Sequence, residues 1–323
     1  MRTIRIFGGD KRGIRAFLRR MDGPIPRPLL DPAVATRASA DDTAPYTLTL
    51  PRHPYAPVVF TSAHSGRSYS PEFLASARLC PLSLRRSEDS FVDELFGAAP
   101  QHGAPLLAAN FPRAFCDANR EPWELDPSMF LDPLPSWVNT TSPRVGAGLG
   151  TIARVVASGE PIYRGRMPFA EAERRIQSYW RPFHDALGRL VADVKARFGC
   201  CWLIDCHSMP SASQTRRLSG KTVDFVLGDL HGAACASRAT RFVEACLSGQ
   251  GFLVRRNDPY AGGYITAHYG RPSADVHVLQ IEIARSLYMD EATMEPLPAF
   301  PAVRERITAL IDGLTQQAHD LIG

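Results

Sequence analysis

The chain has 323 residues, 45% of them hydrophobic and 22% charged, with a formal net charge of +4. This is the composition of an ordinary globular protein, and the length suits one large α/β domain better than two small ones. No Lys/Arg block is interleaved with stacking aromatics, so nucleic acid is not an expected partner and a small molecule is.

Seven cysteines, an odd number that includes the adjacent pair Cys200-Cys201, show no regular spacing and no CxxC pair. They read as small core residues in a reducing compartment, with neither a disulfide framework nor a thiolate zinc site. No run of eighteen apolar residues suggests a membrane span. The basic N-terminus lacks the apolar segment of a secretory signal, so the cytoplasm is the expected location.

Residues 1–48 join a basic segment (Arg2, Arg5, Lys11, Arg12) to a Pro- and Ala-rich stretch, and read as an N-terminal extension ahead of a catalytic domain over 49–323. A first strand over 57–63 runs into His64-Ser65-Gly66, where glycine lets the backbone turn closely. A short helix starts at Pro71. Residues 84–96 predict a second helix capped by Ser87, with Glu88 and Asp89 in its first turn, an ordinary structural place for acids. Residues 104–109 read as a strand. The stretch that follows carries Arg113, Asp117, Asn119 and Arg120 among apolar residues. Guanidinium groups grip carboxylates through paired hydrogen bonds, which Asp and Asn can orient; a surface ion-pair cluster fits the same residues equally well.

Residues 121–165 hold many Pro, Gly, Ser and Thr around Trp123, Phe130 and Trp137, which suggests a functional loop packed over the domain. A long amphipathic helix is predicted over 168–198, bent at Pro182 and stopped by Gly199. The next run, Trp202-Leu203-Ile204, is a buried strand that ends in Asp205-Cys206-His207-Ser208. Helix followed directly by strand suits a parallel sheet. Further strands are expected over 223–229 and 252–254, with a helix over 233–247 between them. Residues 257–272 read as a flexible loop whose Thr266, His268 and Arg271 either touch a ligand or bond within the loop. The last strand, 276–282, ends in Glu282, and an amphipathic helix closes the chain over 302–322.

A single strand-end histidine is more often a core residue bonded to backbone than a ligand. Here three apolar runs deliver His64, His207 and Glu282 at the same kind of position, which points to one converging metal site. Asp205 either orients a ligating histidine or is a buried structural carboxylate. A serine nucleophile at Ser208 is a poor alternative, because neighbours on a strand face opposite ways and no GxSxG elbow is present.

Taken in order, His64-Ser65-Gly66, Glu88-Asp89, Arg113 through Arg120, Asp205-Cys206-His207-Ser208, the run 224–228, the Gly262-Gly263-Tyr264-Ile265-Thr266 segment with His268, and Gln280-Ile281-Glu282 resemble the N-formylglutamate amidohydrolase family over roughly residues 55–295. The resemblance implies an α/β fold, a single-domain mixed and mostly parallel sheet flanked by helices, related to the zinc carboxypeptidases (phosphorylase/hydrolase-like). Those peptidases begin their ligand set with His-x-x-Glu, and Arg67 stands where that Glu would be. The acidic ligand is therefore assigned to Asp89, where the family pattern has an Asp, with Glu88 as the alternative.

The resemblance then implies one zinc ion on His64, Asp89 and His207, with Glu282 as general base. Of Arg113 and Arg120, one would stabilise the oxyanion and the other, with Asn119, hold the substrate carboxylate; Thr266 and His268 are further contacts. The expected reaction is hydrolysis of N-formyl-L-glutamate, or a similar N-acyl amino acid, to formate and the amino acid, a step of histidine degradation. Two alternatives are a metallohydrolase of another acyl or carboxypeptidase-like substrate and a non-catalytic binding protein on the same fold. Nothing in the sequence fixes the oligomeric state.

Overall fold

Side chains alternate across a strand, so the strands themselves record which face of a sheet is core. The computed structural model describes residues 44–211 and 222–323. Strands β1 (Tyr46–Thr49), β2 (Val58–Ser62), β3 (Leu106–Ala109), β4 (Cys201–Met209), β5 (Phe225–Gly228), β6 (Val254–Arg256) and β7 (Val276–Ala284) form one sheet in the order β1-β3-β2-β4-β7-β5-β6. The centre, β3-β2-β4-β7, is parallel. Antiparallel pairs join β1 to β3 and β5 to β7, so the sheet is mixed and mostly parallel, as expected.

Along β4, Trp202, Ile204 and Cys206 enter one core with Leu279, Ile281 and Ile283 of β7. On the other face Cys201 and Leu203 join Val276 and Val278 in a second core. Helix α6 (Ser237–Gly249) and the terminal α8 (Phe300–Ile322) cover the first face with Ala239, Val243, Leu247, Ile307, Leu310, Ile311 and Leu314. Helix α5 (Arg181–Phe198) covers the second with Phe183, Leu187, Leu190 and Val194. Burial of each such Leu, Ile, Val or Phe contributes about 2 kcal/mol. Both faces are filled, which explains why the central strands read as continuous apolar runs.

Four local expectations change. The helix expected over 168–198 is α4 (Phe169–Arg175), a π-helical turn over Ile176–Trp180, and then α5. Pro182 sits in the first turn of α5, where its missing N–H costs least, and the wider turn absorbs the mismatch before it. Ser87 caps no helix. Between α1 (Pro71–Ser76) and β3 lie only α2 (Pro81–Arg85) and the short α3 (Val92–Leu95), with a 3-10 turn after it. Residues 87–90 are a buried, non-helical link between them, and the Ser87 hydroxyl accepts from the Ala157 N–H at 3.4 Å. The stretch expected to be a flexible loop contains α7 (Tyr264–Tyr269).

The fourth change concerns the N-terminal side. Residues 46–48, assigned by sequence to the extension, lie in β1 and pair with Leu107–Ala109 of β3. Half-buried and exposed side chains alternate along β1 and none is fully buried, the weak signal of an edge strand. The rest of the expected extension, residues 1–43, and the polar turn over 212–221 lie outside the described residues. Among the described residues no helix is long and apolar enough to cross a membrane.

Candidate active site

The face of β4 that carries Cys201 and Leu203 turns polar at Asp205 and His207, and the same face of β7 does so at Gln280 and Glu282. Register sets Asp205 against Gln280 and His207 against Glu282, so the four side chains share one end of the sheet. β2 delivers His64 to that end, two residues beyond its last strand residue. Gly66 then lets the chain pass against the Asn110–Phe111 backbone, where any Cβ would collide with the Phe111 carbonyl. The Asp89 N–H donates to the His64 carbonyl at 3.0 Å, which pins the 87–90 link beside β2.

His64, Asp89 and His207 are all buried and bring one ligand atom each within 4.8 Å of one another. The two imidazoles are turned alike. Each Nδ1 faces Asp89 Oδ2, at 3.3 Å from His64 and 2.9 Å from His207. Each Nε2 meets a carboxylate behind it, Asp117 Oδ1 at 2.7 Å for His64 and Asp205 Oδ1 at 2.9 Å for His207. A carboxylate on the outer nitrogen is how metal-binding histidines are oriented. His64 Nδ1 is buried with no hydrogen-bond partner, a cost that a cation between the two rings and Asp89 would remove. The donor set therefore fits a divalent metal ion.

The electrostatics agree. Burial alone would raise the Asp89 carboxyl, but the hydrogen bond from His207 and the closeness of both imidazoles outweigh it and hold it well below the usual carboxylate range. Burial would likewise lower His207, yet the Asp205 charge and the bonds to Asp205 and Asp89 raise it well above an ordinary imidazole. Surroundings that favour a proton at that point favour a cation there. Burial pushes Glu282 up to about 7, with the nearby His207 opposing the rise and Asp89 adding to it.

Each of these groups is held by a neighbour. Arg285 donates from Nη2 to Asp89 Oδ1 at 3.1 Å, from Nη1 to the Arg86 carbonyl at 3.1 Å and from Nε to Ser208 Oγ at 3.3 Å. Gln280 donates to Glu282 Oε1 at 2.8 Å and accepts from the Gly263 N–H at 2.8 Å. Asp117 accepts from Arg113 Nε at 2.9 Å and from the Asn119 N–H at 2.8 Å, and its carboxyl is held well below the usual range: burial opposes this, and Arg120, His64 and Arg113 outweigh it. Asn119 accepts from the Ile265 N–H at 2.7 Å and lies 3.4 Å from Asp205 Oδ2. Gly263 passes so close to that amide that any side chain would displace it.

The polar cluster opens into a cavity of about 590 Å³. His64, Asp89, His207, Glu282, Arg113, Asn119 and Arg120, all named from sequence, line it together. Thr266 and His268 do not. They lie on α7, where Thr266 is buried with its hydroxyl unpartnered and His268 turns to the Tyr264 hydroxyl at 3.2 Å. Helix geometry, where a loop was expected, carries them away from the opening. The alternative acid Glu88 faces elsewhere, with its carboxylate taking Tyr69 OH at 2.6 Å and Ser90 Oγ at 2.7 Å.

Sequence reasoning missed Gln280, Arg285 and Arg144 among the lining residues. Gln280 could have been found by counting two back from Glu282, which keeps to one face of the strand. Arg285 and Arg144 follow a strand end and a proline, and no spacing marks them.

A family model described as N-formylglutamate amidohydrolase matches residues 56–289. An N-formylglutamate deformylase of Pseudomonas aeruginosa is 34% identical over 206 residues, which is 63% of this chain and 71% of that protein. The deformylase of Pseudomonas putida is 32% identical over the same shares. Among solved structures, the N-formylglutamate amidohydrolase of Ralstonia eutropha superposes with a TM-score of 0.81 at 38% identity, over 86% of this chain and 99% of that one. A gene product of Agrobacterium tumefaciens, at 19% identity and a TM-score of 0.51, shares the fold.

Proposed function

Since the chain belongs to the N-formylglutamate amidohydrolase family, hydrolases acting on an amide bond, we propose that it cleaves N-formyl-L-glutamate, or a closely similar N-acyl amino acid, to formate and the free amino acid. The observation that carries the reading is the meeting of two inward-facing Nδ1 atoms and the Asp89 carboxylate with Glu282 on the adjoining strand, at the mouth of an arginine-lined cavity. His64, Asp89 and His207 would hold one divalent ion, and zinc is the ion this ligand set suits. Bound there, it would supply a water made acidic enough to attack near neutral pH and a Lewis-acid contact for the formyl oxygen.

The remaining steps fall to the chain. Glu282 accepts a proton from the attacking water as the new C–O bond forms. It returns that proton to the nitrogen as the C–N bond breaks, so that formate and amine leave with atoms and charge balanced. Arg113 stands next to Asp89 and Glu282 in the field of the site and stabilises the oxyanion; Arg120, fixed by the Asn119 and Leu149 carbonyls at 2.8 and 3.0 Å, receives the α-carboxylate. Asn119 acts mainly through others, by holding the Ile265 N–H. A cytoplasmic role in histidine degradation belongs to the same reading.

The test is formate release from N-formyl-L-glutamate by zinc-loaded protein, beside N-acetyl, N-succinyl and peptide substrates. Release confined to the N-formyl compounds supports the reading. Zinc binding with turnover of another acyl compound would move the protein to a sister activity, and the absence of both metal and turnover would sink the enzymatic reading.

A further inference from the structure

Four arginines line the cavity, and they are not equally occupied. Arg285 spends donors on Asp89, Ser208 and the Arg86 carbonyl. Arg113 is tied to Asp117, and Arg120 to two backbone carbonyls with Asp117 at 3.8 Å. Arg144 alone has no hydrogen-bonded partner among the described residues: its Nη1 lies 3.8 Å from Glu124 Oε2, beyond hydrogen-bond length. That Glu124 oxygen is buried and itself lacks a hydrogen-bond partner. A buried acid behind the guanidinium holds it on the wall while leaving its fork available.

We propose that Arg144 is the specificity-determining residue that receives the second, side-chain carboxylate of a dicarboxylic N-formyl amino acid. The inference rests on the deformylase reading and deepens it. Arg144 sits on the helical turn Pro143–Gly146, fixed at its start by the Ser142 cap. Its carbonyl accepts the Leu149 N–H at 2.8 Å, and the Leu149 carbonyl accepts Arg120 Nε at 3.0 Å. One short segment thus sets both guanidinium groups on the same wall, the buried one for the α-carboxylate and the half-exposed one beyond it. The cavity is also lined by Leu149, Ala153, Val155 and Ala157, apolar surfaces suited to methylenes. Asp89, Asp117 and Glu282, which also line the cavity, repel a second carboxylate. Arg144, the lining arginine with no hydrogen-bonded partner among the described residues, is therefore the favourable partner for a glutamyl side chain.

The experiment compares wild type with Arg144→Gln and Arg144→Lys on N-formyl-L-glutamate and its neutral isostere N-formyl-L-glutamine. A charge-assisted hydrogen bond of this kind is worth roughly a 10- to 100-fold preference. Arg144→Gln should lower the glutamate-to-glutamine ratio of kcat/KM by that factor, mainly through KM for glutamate, and Arg144→Lys should fall between. An unchanged ratio, or an equal fall on both substrates, overturns the proposal. Calorimetric binding of L-glutamate and L-glutamine separates this from the deformylase reading. A glutamate preference that vanishes in Arg144→Gln supports the site even in a protein that releases no formate. A wild type without that preference ends the proposal whatever its turnover.

Discussion

Glu282 combines burial with a position opposite His207, so its proton affinity and its reach toward the ligand cluster come from the same strand register. Glu282→Gln keeps the side chain's size and its bond to Gln280 while removing the base. It should retain bound metal, measured by elemental analysis, and lose roughly 10²- to 10⁴-fold in kcat. Because the working form is the carboxylate and burial raises its pKa to about 7, kcat/KM should climb as pH rises toward neutrality, and a limb at ordinary glutamate acidity would contradict the assignment. Asp117 offers a second test at this scale. Asp117→Asn leaves the ligands intact but weakens the anchor on His64 Nε2, and should loosen metal binding roughly 10- to 100-fold in a competition titration. His64, His207 and Glu282 were legible in the sequence because each ends an apolar run. Asp89 was named only through family resemblance, since its own neighbourhood reads as a helix start. Arg285 was illegible: its role depends on Asp89, 196 residues away.

Among the elements, β4 and α5 were the most readable, because their apolar residues repeat with the period of the structure they form. α7 was hidden by its glycine-rich entrance and by six residues too few to show a helical period. Its attachment explains what the period could not. His184 on α5 meets the Ala118 carbonyl through Nε2 at 2.8 Å and the Tyr269 hydroxyl through Nδ1 at 3.0 Å, so one imidazole ties the 117–120 segment to α7. Burial drives this histidine from 6.5 to about 4, against the bond to the Ala118 carbonyl. Between those values the unfolded chain binds the extra proton and the folded one does not. The contribution is therefore complete above pH 6.5 and is lost as pH falls toward 4, by up to about 3 kcal/mol. Urea unfolding across that range should show the decline, and His184→Gln should flatten it; parallel slopes in the two proteins would exclude the assignment.

For the whole molecule, the ligand triad draws together β2, the 87–90 link and β4, segments that are remote in sequence. A metal ion bound there favours the folded state by mass action, about 2.7 kcal/mol at a free concentration 100 times its Kd. Adding zinc to chelator-stripped protein should raise Tm in wild type and leave His207→Ala unmoved; equal shifts in both would place the ion elsewhere. The general architecture was readable from helix-to-strand order, whereas the antiparallel edge at β1 was not, because four residues, two half-buried and two exposed, carry too little pattern. One division of labour runs through the molecule. The groups around the triad come from strand ends and the segments packed beside them, Arg113 to Arg120 included, while Arg144, Leu149 and Val155 belong to a later part of the irregular stretch before α4. Natural selection, or a laboratory library, can therefore rewrite residues 144–155 to accept a new amino-acid side chain while the inherited reaction stays in place.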